Sequence, residues 1–138
     1  MSDRTFVDSN VLIYAHDADA KSKNEAAKRI LLELWNEKTG VLSTQVLQEF
    51  YVNVTRKIPR PLAKKSARLV VNAYAIWCMD TTAADISNAF RIEDESRIGF
   101  WDALIVACAL KGGARRILSE DLNPGQRIAG IKIENPFS

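Results

Sequence analysis

Apolar positions along the chain fall into short blocks set between longer stripes of helical period. Thr5-Phe6-Val7 is a block that stops at Asp8, and it predicts a strand over Arg4–Val7. Ser9 or Asn10 then opens a short helix over Val11–Ala15. Ser22 and Glu25 have capping-box spacing, and Ala26, Ile30, Leu31 and Leu34 follow at helical intervals, with Gly40 as the expected stop. Val41-Leu42 reads as a buried strand, and Ser43 or Thr44 as the cap of a helix whose stripe is Leu47, Phe50, Tyr51 and Val54. Pro59 and Pro61 break the chain before a helix from about Leu62 to Trp77 and a brief strand at Cys78-Met79. Thr82 and Asp85 again have capping-box spacing, opening a helix through Ile86 and Phe90. A further helix runs from Phe100 to Lys111 and ends at Gly112-Gly113. Arg116–Ser119 reads as a strand, Asn123-Pro124-Gly125 as a turn, and Ile131–Ile133 as a last edge strand. Helices alternating with short apolar strands predict an α/β fold with a parallel sheet between helical layers.

No repeat or linker interrupts this pattern, and 138 residues suit one domain spanning 1–138. Composition narrows the chemistry more than the fold. A 47% hydrophobic, 26% charged chain is globular rather than disordered. Two cysteines cannot build a disulfide framework or a four-Cys zinc site, and a single histidine, His16, argues against His-centred catalysis. Cys78 and Cys108 are expected as small core residues, His16 as a surface or capping residue, and Trp35, Trp77 and Trp101 mainly as core. The N-terminus lacks the apolar run of a signal peptide, and no stretch approaches the ~20 apolar residues of a membrane span. A cytoplasmic protein without a membrane partner is the expectation.

Four acids stand out by position. Ten of the eleven residues from Phe100 to Leu110 are apolar, and the exception is Asp102. A carboxylate on such a helix must be paired, protonated, metal-bound, capping its own helix or facing a cleft. Asp8 follows a strand, where open α/β sheets place their ligands, although the same position suits a helix cap. Asp121 repeats the pattern after Arg116–Ser119; whether it or Glu120 points inward is open, and strand alternation would put Ser119 and Asp121 on one side. Glu49 lies away from its helix's apolar stripe, on the same flank as Asn53, and faces either solvent or a cleft. Clustered carboxylates repel one another unless a cation neutralises them. With no His or Cys set at hand, the suitable cations are hard, namely Mg²⁺ or Mn²⁺.

FVDSNVLIYA, the isolated Glu49 in the third helix, FWDALIVACAL and ILSEDLNPG together resemble the hallmarks of PIN-domain ribonucleases. The nearest likeness is to the toxin component of VapBC toxin–antitoxin pairs, over essentially the whole chain. The family's four acidic positions fall on Asp8, Glu49, Asp102 and Asp121, and its supporting polar positions on Asn10 and Ser119. The resemblance implies a three-layer αβα sandwich with a short-stranded, mainly parallel sheet. It also implies a Mg²⁺- or Mn²⁺-dependent endoribonuclease, a homodimer, an RNA substrate and a cognate antitoxin protein.

One charge run adds to this picture. Between positions 56 and 68 the chain carries Arg56, Lys57, Arg60, Lys64, Lys65 and Arg68 and no acid, so the net charge of +2 conceals a remainder of −4. Such a run either solvates a helix face or receives a polyanion. Two alternatives compete with the nuclease. A non-catalytic RNA- or protein-binding module gains nothing from four acids. A Mg²⁺-dependent phosphatase of the haloacid dehalogenase type expects an acid where this chain has Asn10.

Overall fold

The computed structural model describes residues 3–138. Six strands form one sheet: β1 (Arg4–Val7), β2 (Gly40–Ser43), β3 (Cys78–Met79), β4 (Ala114–Leu118), β5 (Arg127–Ile128) and β6 (Ile131–Glu134). Six helices accompany them: α1 (Ser9–Ala15), α2 (Ser22–Glu37), α3 (Thr44–Arg56), α4 (Lys64–Tyr74), α5 (Ala83–Ser96) and α6 (Phe100–Lys111). The strand order is β3-β2-β1-β4-β6-β5, parallel except for the β5/β6 hairpin. Helices flank the sheet: α1 packs on α2 and α3, while α6 packs on β2, β4 and α5. This is the expected α/β architecture.

β1 lies at the centre because Phe6 and Val7 are fully buried and require cover on both faces. Chain order reverses there, with β2 on one side and β4 on the other, and open α/β sheets place their ligand crevice at such a reversal, beyond the carboxyl ends of the strands. The α6 sequence behaves as its lack of periodicity requires: Ala103–Ala109 are all buried. Its far end is tied down, since Lys111 Nζ donates to Asp85 Oδ2 at 3.0 Å and to the Asp80 carbonyl at 2.6 Å. Asp85 closes the capping box with Thr82 expected at the start of α5. Among the described residues, no helix is long and apolar enough to cross a membrane.

Several local expectations fail for identifiable reasons. Ser22 and Glu25 form no capping box, because Lys21 precedes α2 in the left-handed region (φ 54°) and Ser22 is already helical. Lys38, not Gly40, takes the left-handed cap of that helix, leaving Gly40 to begin β2. The buried face of α2 is Asn24, Ala27, Leu31 and Leu34, with Ala26 and Ile30 only half-buried. The helix expected from Leu62 starts at Lys64, two residues beyond the reach of Pro61, and its last turn tightens at Ala75–Trp77. Asp8 itself, rather than Ser9 or Asn10, caps α1. The last strand is not the edge, because β5 pairs outside it. Trp77 and Cys108 are buried and Cys78 is half-buried, but Trp35 and Trp101 are exposed.

Two glycines are required by contact rather than by backbone angle. A Cβ at Gly40 would lie 2.6 Å from the Trp77 ring, and one at Gly112 would lie 2.6 Å from Val41 Cγ1. Gly40→Ala and Gly112→Ala are each expected to destabilise the fold by about 1–3 kcal/mol through overpacking. Urea unfolding checks this, and unchanged midpoints would show that the Trp77 and Val41 side chains yield freely.

Candidate active site

The end of β1 builds the first wall of the crevice. Asp8 is buried, and each of its carboxylate oxygens accepts a hydrogen bond. Oδ1 takes the Ser9 backbone N–H at 2.8 Å, which caps α1, and Oδ2 takes the Ser119 hydroxyl at 2.7 Å. Asp8 therefore fills both roles the sequence left open, a helix cap and an acid at a strand end. The backbone sets this juxtaposition, since Asp8 N–H donates to the Leu118 carbonyl at 3.0 Å and continues the β1/β4 ladder.

Asn10 and Ser119 join the two strand ends. The Asn10 amide donates to Ser119 Oγ and to Asp121 Oδ2, both at 3.3 Å, and its carbonyl accepts from the Glu120 N–H at 3.2 Å. Ser119 Oγ also accepts the Asp121 N–H at 3.1 Å. These bonds separate the adjacent acids. Asp121 stays with Asp8 and Asn10, while Glu120 turns away to accept Tyr14 OH and Lys23 Nζ, each at 2.6 Å. Burial alone would raise the Glu120 carboxyl, but these two donors hold it below its usual range.

Glu49 and Asp102 come from α3 and α6. Asp102 sits in the first turn of α6, but Gly99 occupies the cap and no side chain caps that helix, so the self-capping reading of Asp102 does not hold. The four acids act on one another. Burial raises the Asp8 carboxyl to about 6, against the pull of Ser119 and Ser9, and Glu49 and Asp121 add to the rise. Glu49 is raised by burial and then by Asp121 and Asp102, while Asp102 is raised by burial and by Asp121. Asp121 thus acts electrostatically on Asp8, Glu49 and Asp102, which ties acids from β1, α3, α6 and the segment after β4 to one neighbourhood.

Among the described residues, no three His, Cys, Asp or Glu side chains converge closely enough to enclose a metal ion by themselves. Mg²⁺ keeps several waters and needs only one or two direct carboxylates. The donors are all oxygen, Asp8 is pre-positioned by hydrogen bonds, and the mutual repulsion of the acids is the charge such an ion relieves.

The basic run lies elsewhere. Arg56, Lys57, Arg60, Lys64, Lys65 and Arg68 are all exposed, on the end of α3, the following loop and the start of α4. Arg60 pairs with Asp19 at 3.4 Å and Arg68 lies over the Tyr51 ring at 5.9 Å. A depression holding Arg68 and Gln48 adjoins one holding Gln48 and Glu49, which links this run to the crevice along the outer face of α3. His16 ends α1 and packs edge-on against Phe50 at 5.4 Å, and burial pushes its imidazole down. Sequence reading missed Tyr14 and Lys23. Tyr14 lies one helical turn after Asn10 and could have been found by that spacing; nothing local marks Lys23.

A family model described as PIN domain matches residues 5–130. A search of curated proteins gives no match. Solved structures share the fold at low identity. VapC20 of Mycobacterium tuberculosis, a sarcin–ricin-loop-cleaving toxin, is 22% identical with a TM-score of 0.59, over 82% of this chain and 86% of that one. DNA-bound VapBC from Salmonella typhimurium is 21% identical at 0.67, over 98% and 99%. A toxin–antitoxin complex from Klebsiella pneumoniae is 17% identical at 0.69, over 96% and 98%.

The raised Asp8 carboxyl has a consequence for stability. Unfolded, it titrates near the usual ~3.9; folded, it titrates at about 6. Folding takes up a proton between these values, so this group's contribution is complete below the unfolded pKa and is lost as pH rises through the folded one. In EDTA, Asp8→Asn is expected to flatten the pH dependence and to raise stability at neutral pH by up to roughly 3 kcal/mol. Thermal unfolding between about pH 4.5 and 7.5 reads this directly, and an unchanged slope in the variant contradicts it.

Proposed function

The chain belongs to the PIN-domain family, and from that premise we propose that it is a divalent-metal-dependent endoribonuclease, the toxin of a toxin–antitoxin module. The observation that carries the reading is a buried, hydrogen-bonded Asp8 at the end of the central strand, whose carboxyl is raised by burial and then by Glu49 and Asp121. A surface that only binds RNA would be weakened by such a concentration of negative charge.

Asp8 and Asp102 would hold the ion, Mg²⁺ or Mn²⁺, with Glu49 and Asp121 completing the acidic ring. Bound there, such an ion acidifies water and neutralises charge on a phosphoryl oxygen. The side chains have distinct tasks. The Ser9 N–H and Ser119 hydroxyl orient Asp8, and Asn10 orients Asp121. Glu49, raised by burial and then by its acidic neighbours, would serve as a ligand through water or orient the attacking water. Lys23 and Tyr14 keep Glu120 out of the ring.

RNA is the proposed substrate, in line with the sarcin–ricin-loop-cleaving activity named for the mycobacterial structure. A cognate antitoxin is the proposed protein partner, since the Salmonella and Klebsiella neighbours are toxin–antitoxin complexes. A cationic side chain from that partner entering the ring would displace the ion and block phosphate. A homodimer is the proposed assembly and the cytoplasm the proposed location. The run from Arg56 to Arg68 is the proposed approach surface for the polyanion, because it is exposed and adjoins the crevice through Gln48.

Purified protein is expected to cut total RNA with Mg²⁺ or Mn²⁺ and not with EDTA. Asp8→Asn and Asp102→Asn should each lower kcat by at least about a hundredfold while circular dichroism shows the fold intact. Full activity in both variants would defeat the assignment.

Lys64→Glu combined with Lys65→Glu is expected to weaken RNA binding and reduce its log–log salt slope by roughly one to two. Affinities measured at several salt concentrations decide it, and an unchanged slope would return this run to a solvated helix face.

A further inference from the structure

Trp101 is the large apolar side chain that the fold leaves open next to an acid of the ring. It precedes Asp102 in the first turn of α6, yet 65% of it remains exposed, although this segment is otherwise the most buried of the chain. It is not loose. Its ring meets Phe100 edge-on at 5.2 Å, and Phe100 is braced by Phe90 at 5.7 Å. The indole borders a depression of about 410 Å³ whose other walls are Gln45, Gln48 and Glu49 of α3. A space of that size accommodates a planar ring system.

The polar wall is made of the Gln45, Gln48 and Glu49 side chains, and that of Gln45 hydrogen-bonds Glu49. An unpaired base offers a flat face to an exposed indole and a polar edge to such side chains. Gln48 lines both this depression and the one holding Arg68, so a strand seated here runs toward the basic segment on one side and the acidic ring on the other.

From these contacts we propose that Trp101, Gln45 and Gln48 form a nucleobase subsite beside the acidic ring. Trp101 stacks on one unpaired base, and the exposed Gln48 amide meets its polar edge. The subsite rests on the ribonuclease reading and names what that site would engage: an unstacked base next to the scissile phosphate.

The test compares wild type, Trp101→Ala and Trp101→Phe. Binding of short oligoadenylate and oligouridylate is measured in EDTA by fluorescence anisotropy, and KM, kcat and cut-site sequences are measured on total RNA with Mg²⁺. Trp101→Ala is expected to weaken binding and raise KM by about ten- to a hundredfold with kcat little changed, and Trp101→Phe to recover most of the loss. Unchanged affinity and cut sites in Trp101→Ala would overturn the subsite while leaving the nuclease intact. Loss of self-association in Trp101→Ala, with RNA affinity unchanged, would overturn it in favour of a protein contact. If wild type cuts nothing with any metal, the nuclease reading fails by itself. In that case Trp101-dependent binding in EDTA would still uphold the subsite, and its absence would remove both.

Discussion

Two hydrogen bonds to one carboxylate make the rest of the site possible. Asp8 is buried at the end of the central strand, where burial drives it toward the neutral acid. The Ser9 N–H and the Ser119 hydroxyl oppose that drive, one from the helix that follows β1 and one from the end of β4. Neither donor would be in place without the parallel pairing of β1 and β4, and that pairing depends on the apolar cover from the helices on both faces. The acidic ring is therefore a property of the sheet as much as of its four acids. Remove the sheet register, and Asp8 loses the bond that orients it.

The same dependence divides the acidic neighbours. Glu120 and Asp121 are chemically close and adjacent in sequence, yet they have opposite environments. Glu120 sits under two donors and is held low. Asp121 is held by Asn10 and contributes to the raised carboxyls of Asp8, Glu49 and Asp102. Environment, rather than residue type, separates a structural ion pair from a member of the site.

Much of this was legible from residue order. The stop at Asp8 after a buried block, the lone acid on an apolar helix and the Ser119/Asp121 alternation all report backbone geometry, which sequence periodicity encodes well. The capping box at Thr82 and Asp85 was readable for the same reason. What could not be read depends on tertiary choices. The orientation of Glu120 is decided by Lys23, 97 positions away. Lys21 and Lys38 adopt left-handed backbone without a glycine to announce it. Trp101 reads as core from its apolar neighbours, and only the packing of α5 beneath Phe100 leaves it at the surface. The candidate role of Glu49 came from family likeness, since helical phase left it facing either solvent or a cleft.

The central position of β1 also has a consequence in time. Asp8 and Ser119, bonded to each other, are 111 positions apart, and Asp102 and Asp121 lie in the last third of the chain. Contacts of such long sequence separation form late, because the loop they close must be ordered first. Synthesis runs from Asp8 toward Ser119, so the carboxyl is made well before the hydroxyl that orients it. Until β4 pairs with β1, Asp8 has only its local bond to the Ser9 N–H.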